Sequence, residues 1–261
     1  MSPRRRTARP SALLAAVTLL TAVAALMSGG LATGPAAADE QPEPAGVVTT
    51  REVVGTSVEG RPIVAVHRAR EGATRTLLVI GSIHGDERAG LRVVRRLRDR
   101  EHLPADLDLW LVATVNPDGT ADDHRTNAHG VDLNRNFPYG WRTSRRGATW
   151  SGPAYLSEPE SQALRALHRR LDPWLTVVFH QPLFGVGTQD GAMALVRDIA
   201  AGMKLPVDDF RCTGVCHGTF TGWVNHRTGG TGVTVEFGRG APSWRITRAA
   251  RTLVEVGSDL V

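Results

Sequence analysis

The sequence contains very little lysine, cysteine or tyrosine, and it has no long apolar run beyond its N-terminal region. Lys204 is the only lysine, so nearly every basic residue is an arginine, which we attribute to coding bias before function. The longest apolar run extends from Leu13 to Met27, and its roughly fifteen residues fall short of the roughly twenty that span a bilayer. No later segment is a candidate, so we expect no membrane anchor after signal cleavage.

Residues 1–38 are predicted to be a signal peptide. Four arginines precede the apolar run, and Ala36 and Ala38 form a small-residue cleavage pattern before Asp39. The arginine pair also invites the twin-arginine route, but the apolar residues expected just after it are missing, so the export route stays open. We predict a flexible leader over residues 39–46, a single folded domain over residues 47–261 and a secreted, extracytoplasmic protein.

Loss of the signal peptide changes the charge balance of the chain. The four arginines leave without any acid, so the formal net charge falls from +5 to +1. The basic character therefore belongs mainly to the precursor, and it predicts no nucleic-acid partner. Removing 38 of the 261 residues leaves 223, which suits one domain with a sizeable core. The sequence shows no internal repeat, and we expect a monomer.

The two cysteines, Cys212 and Cys216, are close in sequence and are predicted to form a disulfide in an oxidising compartment. The alternative is half of a zinc site. It lacks a second pair of Cys or His residues at close spacing, and His217 is the only neighbour of that kind.

Apolar strands alternate with amphipathic helices along most of the chain. The run from Thr76 to Ile80 reads as a buried strand, and a helix to about Arg100 follows it. Similar runs recur at Leu107–Val115, Trp174–Phe179 and Gly232–Phe237. This alternation predicts an α/β sandwich with a largely parallel core. The Ser157-Glu-Pro-Glu160 segment reads as a capping box that starts another helix.

Three residues that can bind metal or carry protons lie at or near C-terminal strand ends, where such sheets bind ligands. His84 lies in the turn after the first buried strand with Glu87 three residues later, His180 ends the third strand, and Glu236 lies near the end of the last strand. Alone, each has an ordinary structural explanation, and a His-x-x-Glu spacing arises often by chance. Their convergence on one edge favours a shared site.

A single Zn²⁺ held by His84, Glu87 and His180 would keep a fourth position open, which is the catalytic pattern. The metal would lower the pKa of a bound water to about 7 and polarise a carbonyl. Glu236 is the predicted proton carrier. Four residues of the long polar loop after Gly119 complete the site. Arg125 is the candidate that stabilises an oxyanion, Asn134 and Arg135 would bind a substrate carboxylate, and Asp132 would orient a ligand histidine.

Seven segments of the chain together resemble the zinc metallocarboxypeptidases of the M14 peptidase family. They are His84-Gly-Asp-Glu87, Asn116-Pro-Asp-Gly119, Arg125-Thr-Asn127, Gly130-Val-Asp-Leu-Asn-Arg-Asn-Phe-Pro138, Ser157-Glu-Pro-Glu160, His180 and Thr234-Val-Glu236. A further segment, Gly55 to Pro62, is similar to the first motif of that family.

The resemblance implies a single-domain, three-layer α/β sandwich with a mixed, mostly parallel sheet of about eight strands. It implies one zinc per chain on His84, Glu87 and His180, with Glu236 transferring the proton. It also implies that Arg125 polarises the scissile carbonyl, that Asn134 and Arg135 hold the terminal carboxylate, and that Asp132 supports the first histidine.

Two departures bear on the substrate. Many family members have a tyrosine between the third ligand and the glutamate, whereas the tyrosines here are Tyr139 and Tyr155. Gln181 also follows His180, where the digestive-type enzymes usually have a small residue. With the short chain and the signal peptide, these features are similar to the compact bacterial branch that includes murein peptide amidases, which cut the bond between D-glutamate and diaminopimelate.

We therefore predict a carboxypeptidase that hydrolyses an amide bond next to a C-terminal carboxylate. Its substrate is an ordinary peptide or, with a slight preference, a murein peptide. The alternatives are a zinc deacylase of small N-acyl amino acids and a catalytically inactive binding module. A specificity pocket is expected among residues 205–235, with these possible lining residues: Asp208, Asp209, Arg211, Trp223 and Arg227.

Overall fold

The computed structural model describes residues 46–188, 192–210 and 216–258. Its strands, in chain order, are β1 (Val48–Thr56), β2 (Pro62–Ala69), β3 (Arg75–Ile80), β4 (Leu107–Val112), β5 (Leu175–His180), β6 (Phe184–Gly187) and β7 (Thr231–Phe237). Its α-helices are α1 (Ala89–Arg98), α2 (Pro117–Asp122), α3 (Pro159–Leu171), α4 (Met193–Met203), α5 (Phe220–Arg227) and α6 (Ser243–Gly257), and a 3₁₀ turn spans Leu133–Arg135.

The strands form one mixed sheet in the order β1-β2-β4-β3-β5-β7-β6. The four neighbours β4, β3, β5 and β7 run parallel, and antiparallel pairings of β1 with β2, β2 with β4 and β6 with β7 flank them. The predicted α/β class and mixed sheet are confirmed. The family resemblance implies about eight strands, and the described residues form seven.

Helices cover both faces of the sheet, which explains the apolar runs Leu77–Ile80 and Val177–Phe179 in its central strands. Val79 and Val177 point into a cluster with α1, α4 and α6. Their neighbours Ile80 and Val178 point to the opposite face, where α3 and α5 pack. Alternate residues of a strand point to opposite faces, so a strand buried on both faces needs apolar residues at every position. The three layers leave the C-terminal strand ends free to carry the site.

A buried aspartate, Asp118, ties the turn between β1 and β2 to the Asn116-Pro-Asp-Gly119 turn. Asp118 accepts hydrogen bonds from the Ser57 hydroxyl at 2.7 Å, the Glu59 backbone N–H at 3.0 Å and the Arg61 guanidinium at 2.7 Å. Asn116 caps α2 by accepting a hydrogen bond from the Gly119 N–H at 2.9 Å. Two of the segments that carry the family resemblance are therefore joined to each other, outside the site itself.

Hydrogen bonds from buried side chains hold the long polar loop before α3 in place, so this loop is ordered although its sequence is polar. The Asn136 amide donates to the Ser151 and Ala154 carbonyls, each at 2.9 Å. The Asn127 amide donates to Glu158 at 2.7 Å and to Glu160 at 3.1 Å. These contacts supply partners for polar groups that would be costly to bury alone.

The predicted capping box is wrong. Helix α3 begins at Pro159 with Glu158 as its N-cap residue, and no side chain caps it. Glu160 instead accepts a hydrogen bond from the Val58 N–H at 3.0 Å. The pattern identified the start of the helix, but its carboxylates bind distant partners that the local sequence does not reveal.

Several predicted segments lie outside the described residues. These are the signal peptide, most of the leader (residues 39–45), Arg211 and Cys212. The predicted disulfide between Cys212 and Cys216 accordingly stays a prediction. Across the part of the chain that the structure describes, no helix combines the length and apolarity needed to cross a membrane.

Candidate metal centre and active site

Three predicted metal ligands meet at the C-terminal edge of the parallel strands. His84 and Glu87 lie in the turn between β3 and α1, and His180 is the last residue of β5. The turn packs closely on α2, because a Cβ atom added to Gly85 would lie 1.9 Å from the Gly119 carbonyl carbon. Only glycine fits at that position, so the close packing fixes the turn that presents His84 and Glu87.

The ligand atoms of these three residues point at one another. The Nδ1 atoms of His84 and His180 are 3.3 Å apart. Glu87 Oε1 lies 2.8 Å from His84 Nδ1, and Glu87 Oε2 lies 2.9 Å from His180 Nδ1. Tetrahedral ligands at the usual zinc bond lengths are separated by about 3.3 Å. Two imidazoles and one carboxylate at this spacing fit a zinc ion with one open position.

Asp132 fixes the orientation of the first ligand. Its Oδ1 atom lies 3.0 Å from His84 Nε2, so the other ring nitrogen, Nδ1, faces the ligand cluster. Burial lowers the pKa of His84, but Asp132 and Glu87 outweigh burial and raise it to about 9. Burial raises the pKa of Asp132, whereas His84 and Arg125 lower it well below its usual range. Asp132 therefore stays ionised beside His84.

Arg125 is tied to the same two acids. Its guanidinium donates to Asp132 Oδ2 at 2.9 Å and to Glu87 Oε1 at 3.2 Å. Burial lowers its pKa, but the charges of Asp132 and Glu87 raise it by more. The result is a fixed cation beside the ligand cluster.

Glu236 lies directly beside His180, because the two residues are register partners on β7 and β5. Its Oε2 atom accepts a hydrogen bond from the Leu183 N–H at 3.1 Å. Burial raises its pKa, the nearby His180 opposes this shift, and Glu87 adds to it. A carboxylate with a raised pKa suits a group that must both accept and return a proton.

Asn134 and Arg135 line the same cavity as the ligands. The Asn134 carbonyl oxygen Oδ1 accepts from the Phe220 N–H at 3.0 Å, which fixes the amide. Arg135 donates to the Asn134 backbone carbonyl at 2.8 Å and to Cys216 Sγ at 3.8 Å. Its Nε atom is buried with no hydrogen-bond partner. Within the described residues, this buried guanidinium has no salt bridge to a carboxylate.

The cavity has a volume of about 180 Å³ and extends from the ligands to the segment after α4. Of the five proposed pocket residues, Asp209 lines it. Trp223 does not, because it is buried in the core against Phe137 and Phe220. Arg227 lies over the ring of Tyr139, with its Cζ atom 5.7 Å from the centroid.

Several cavity residues were not predicted. Thr188 follows β6, Phe210 lies in the segment after α4, and Thr219 and Thr221 lie at the start of α5; none carries a local sequence signal. Gln181 has a clear structural role. Its Oε1 atom accepts from the Ala89 N–H at 2.9 Å, and its Nε2 atom donates to the Gly238 carbonyl at 2.9 Å. It therefore joins the start of α1 to the end of β7, next to His180.

Comparison with known proteins gives one consistent family. Residues 43–181 match the family model described as zinc carboxypeptidase. Murein peptide amidase A of Vibrio campbellii is 32% identical over 203 residues, which cover 71% of this chain and 78% of that protein. Murein peptide amidase A of Escherichia coli K12 is 35% identical over 148 residues, 51% of this chain. That match spans 59% of the length of the Escherichia coli relative.

Solved structures agree with this result. The crystal structure of murein-tripeptide amidase MpaA from Escherichia coli O157 superimposes with a TM-score of 0.64 at 26% identity, covering 79% of this chain and 91% of that one. Carboxypeptidase A from Helicoverpa armigera gives a TM-score of 0.67 at 18% identity, covering 80% of this chain and 68% of that one. The second likeness shows a shared fold.

Proposed function

Because the chain belongs to the zinc carboxypeptidase family, we propose that it is a zinc-dependent hydrolase that cleaves the amide bond preceding a C-terminal carboxylate. The buried guanidinium of Arg135, which has no carboxylate partner among the described residues, carries this proposal. Burying a charge without a partner is costly, so a site that retains one is suited to an anionic ligand. A substrate carboxylate would supply the missing partner and place the adjoining amide bond near His84, Glu87 and His180.

The chain offers a candidate residue for each step of the proposed reaction. His84, Glu87 and His180 would hold the zinc ion, which would supply an acidified water molecule and a Lewis acid for the substrate carbonyl. Glu236 accepts the proton of the attacking water, whose oxygen bonds to the carbonyl carbon. Arg125 stabilises the negative charge that develops on the carbonyl oxygen. Glu236 then gives its proton to the amine nitrogen as the C–N bond breaks, leaving a carboxylic acid and a free amine.

A murein peptide fits the leaving-group side of the cavity. Diaminopimelate carries an ammonium group at the far end of its side chain, and Asp209 places a carboxylate on the cavity wall. The named activities of the Vibrio and Escherichia relatives support the same substrate. We therefore propose hydrolysis of the bond between D-glutamate and diaminopimelate, in preference to an ordinary peptide bond.

Product analysis by mass spectrometry tests this function. The zinc-loaded protein would be incubated with the murein tripeptide L-Ala-γ-D-Glu-diaminopimelate and with a panel of ordinary peptides. We expect free diaminopimelate from the tripeptide and slower release of C-terminal residues from the panel. The same preparation treated with a chelator is the control. Faster cleavage of the ordinary peptides would overturn the murein assignment, and no cleavage of any substrate would overturn the hydrolase assignment.

We further propose that the protein acts outside the cytoplasm, as the N-terminal signal pattern indicates. Expression in an exporting host followed by N-terminal sequencing of the released protein tests this. The expected first residue is Asp39. Retention of residues 1–38 on a cytoplasmic product would contradict secretion.

A further inference from the structure

A second cavity, of about 470 Å³, lies next to the proposed reaction centre. Arg125 borders both cavities, so its guanidinium stands between them. Asn134 and Arg135, which would hold the leaving group, line only the first cavity. A substrate whose carbonyl contacts Arg125 and whose terminal carboxylate contacts Arg135 must therefore extend its acyl part toward the second cavity.

The wall of this second cavity is attached directly to the reaction centre. The Arg125 Nε atom donates to the Ala148 carbonyl at 3.2 Å. The Asp132 N–H donates to the Trp150 carbonyl at 2.8 Å. Arg146 lies on the same short segment, with its Cζ atom 4.0 Å from the centroid of the Trp150 ring. The stacking holds the guanidinium by its face and leaves its N–H edge available to a ligand.

The charged groups around the cavity are mostly neutralised by other residues. Arg125 binds Glu87 and Asp132, Asp123 binds Arg88, and His129 binds Glu158. Across residues 46–188, 192–210 and 216–258, Arg146 makes no salt bridge, and the cavity-lining Asp86 makes none either. One cation and one anion thus remain to interact with a ligand in this cavity.

We propose that this cavity is the acyl-side subsite and that Arg146 binds a free carboxylate on the acyl residue of the substrate. The inference rests on the proposed hydrolase function and adds a reason for its preference. A γ-linked glutamyl residue is joined to the leaving amine through its side chain, so its α-carboxylate stays free. An ordinary α-linked peptide has no carboxylate at that position. The free amino group at the start of the tripeptide is the matching partner for Asp86.

Arg146 is therefore a specificity-determining residue. Its planar guanidinium can bind both carboxylate oxygens at once, which a lysine ammonium cannot reproduce. A hydrogen bond to a charged group contributes about 1.5–3 kcal/mol, so its loss corresponds to at least about a tenfold change in kcat/KM.

The test compares two tripeptides that differ only at the α-carboxyl of the glutamyl residue, free in one and amidated in the other. The ratio of their kcat/KM values is measured for the zinc-loaded wild type, Arg146→Gln and Arg146→Lys. We expect the wild type to favour the free carboxylate about tenfold or more. Arg146→Gln should lower that ratio about tenfold, and Arg146→Lys should retain part of it. Arg145→Gln, an exposed neighbour that lines neither cavity, is the matched control and should keep the wild-type ratio.

The outcomes separate the two proposals. A wild type that cleaves both tripeptides equally, or an Arg146→Gln variant that keeps the wild-type ratio, would overturn the role of Arg146 while leaving the hydrolase assignment intact. An equal loss in Arg145→Gln would show a general charge effect and would likewise overturn it. A wild type that cleaves neither tripeptide but cleaves ordinary peptides would overturn both the murein substrate and the subsite.

Discussion

Arg135 and Glu236 show how single residues acquire functional properties from their surroundings. Arg135 is buried, donates to a backbone carbonyl and a sulfur atom, and has no carboxylate partner among the described residues. Glu236 is buried and accepts one backbone hydrogen bond, and its pKa is raised. Both residues would be poor choices for stability alone, since buried charge is costly. Both residues line the cavity beside His84, Glu87 and His180, where the proposed roles in substrate binding and proton transfer would require such buried charge.

Replacing Glu236 with glutamine removes the proposed proton carrier but keeps the shape of the side chain. General acid–base catalysis contributes about 10²–10⁴-fold, so we expect kcat to fall by that factor. The zinc content, measured by plasma mass spectrometry, should stay near one per chain. A kcat within a few fold of the wild type would show that another group carries the proton.

Replacing Arg135 with alanine removes the proposed carboxylate receptor. KM for a substrate with a free C-terminal carboxylate should rise about tenfold or more, since charged hydrogen bonds contribute about 1.5–3 kcal/mol. KM for the same substrate with an amidated C-terminus should change less. Steady-state kinetics with the two substrates measure this difference. An equal rise in KM for both would argue against recognition of the terminal carboxylate.

His168 is a buried histidine whose effect on stability depends on pH. It packs edge-on against Phe220 and Trp223, and both of its ring nitrogens lack hydrogen-bond partners. Burial lowers its pKa from 6.5 to about 4. In the unfolded chain His168 is protonated below about pH 6.5, whereas in the folded chain it stays neutral down to about pH 4. The free energy of unfolding therefore falls as the pH drops from 6.5 to 4.

The consequence can be measured with His168→Leu. Between pH 7 and pH 4 the wild type should lose about 3 kcal/mol of unfolding free energy that this variant does not lose. Urea titrations at several pH values provide the comparison, with His102→Gln, at an exposed histidine, as the control. Parallel pH profiles for the wild type and His168→Leu would contradict the assignment.

At the scale of elements, the close packing of helix α1 depends on Gly90, which lies against Gly81 just after β3 and against Phe179 on β5. A Cβ atom at Gly90 would lie 1.9 Å from the Gly81 carbonyl oxygen and 2.5 Å from Phe179 Cβ. Helix α1 can therefore pack closely only without a side chain at this position. Ala89 begins this helix and Glu87 lies in the turn just before it, so the position of the helix also fixes the proposed ligand Glu87 and the hydrogen bond from Ala89 to Gln181.

Gly90→Ala should destabilise the protein by about 1–3 kcal/mol or more, because overpacking forces the backbone to move. Gly229→Ala is the matched control, since a Cβ atom there would meet nothing within 4 Å. Chemical denaturation of the two variants measures the difference. Similar midpoints for both would show that α1 can shift without cost.

Sequence reasoning predicted elements well where periodicity was strong and poorly where contacts were distant. The buried strands and α1 followed from their apolar patterns. Helix α5 and the short strand β6 were missed, because neither has a clear periodic pattern. The Ser157–Glu160 segment was misread because Glu160 binds the backbone of Val58, about a hundred residues away.

At the scale of the whole molecule, the candidate site could be predicted because parallel strands end at one edge of the sheet. That rule brought together His84, His180 and Glu236 from three separate strands. The walls of the two cavities could not be predicted in the same way. Asp209 was among the residues expected to line a pocket, but Arg146 and Phe210 reach the cavities from loops whose paths depend on tertiary packing, and the sequence carries no local record of those paths.

Zinc binding should also stabilise the whole fold. A ligand that binds only the folded state raises stability by about 4 kcal/mol at a thousand times its dissociation constant. Adding zinc to chelator-treated protein should therefore raise the unfolding temperature, and Glu87→Gln should greatly reduce that rise. Differential scanning calorimetry measures both. An equal rise in the variant would place the stabilising ion elsewhere.

The most direct test is an anomalous diffraction measurement at the zinc absorption edge on crystals of the zinc-loaded protein. We expect one strong peak at bonding distance from the Nδ1 atoms of His84 and His180 and from the carboxylate of Glu87, with Glu236 beside the peak and not bound to it. A peak at another place, or a peak bonded to the Nε2 atoms of the two histidines, would contradict it.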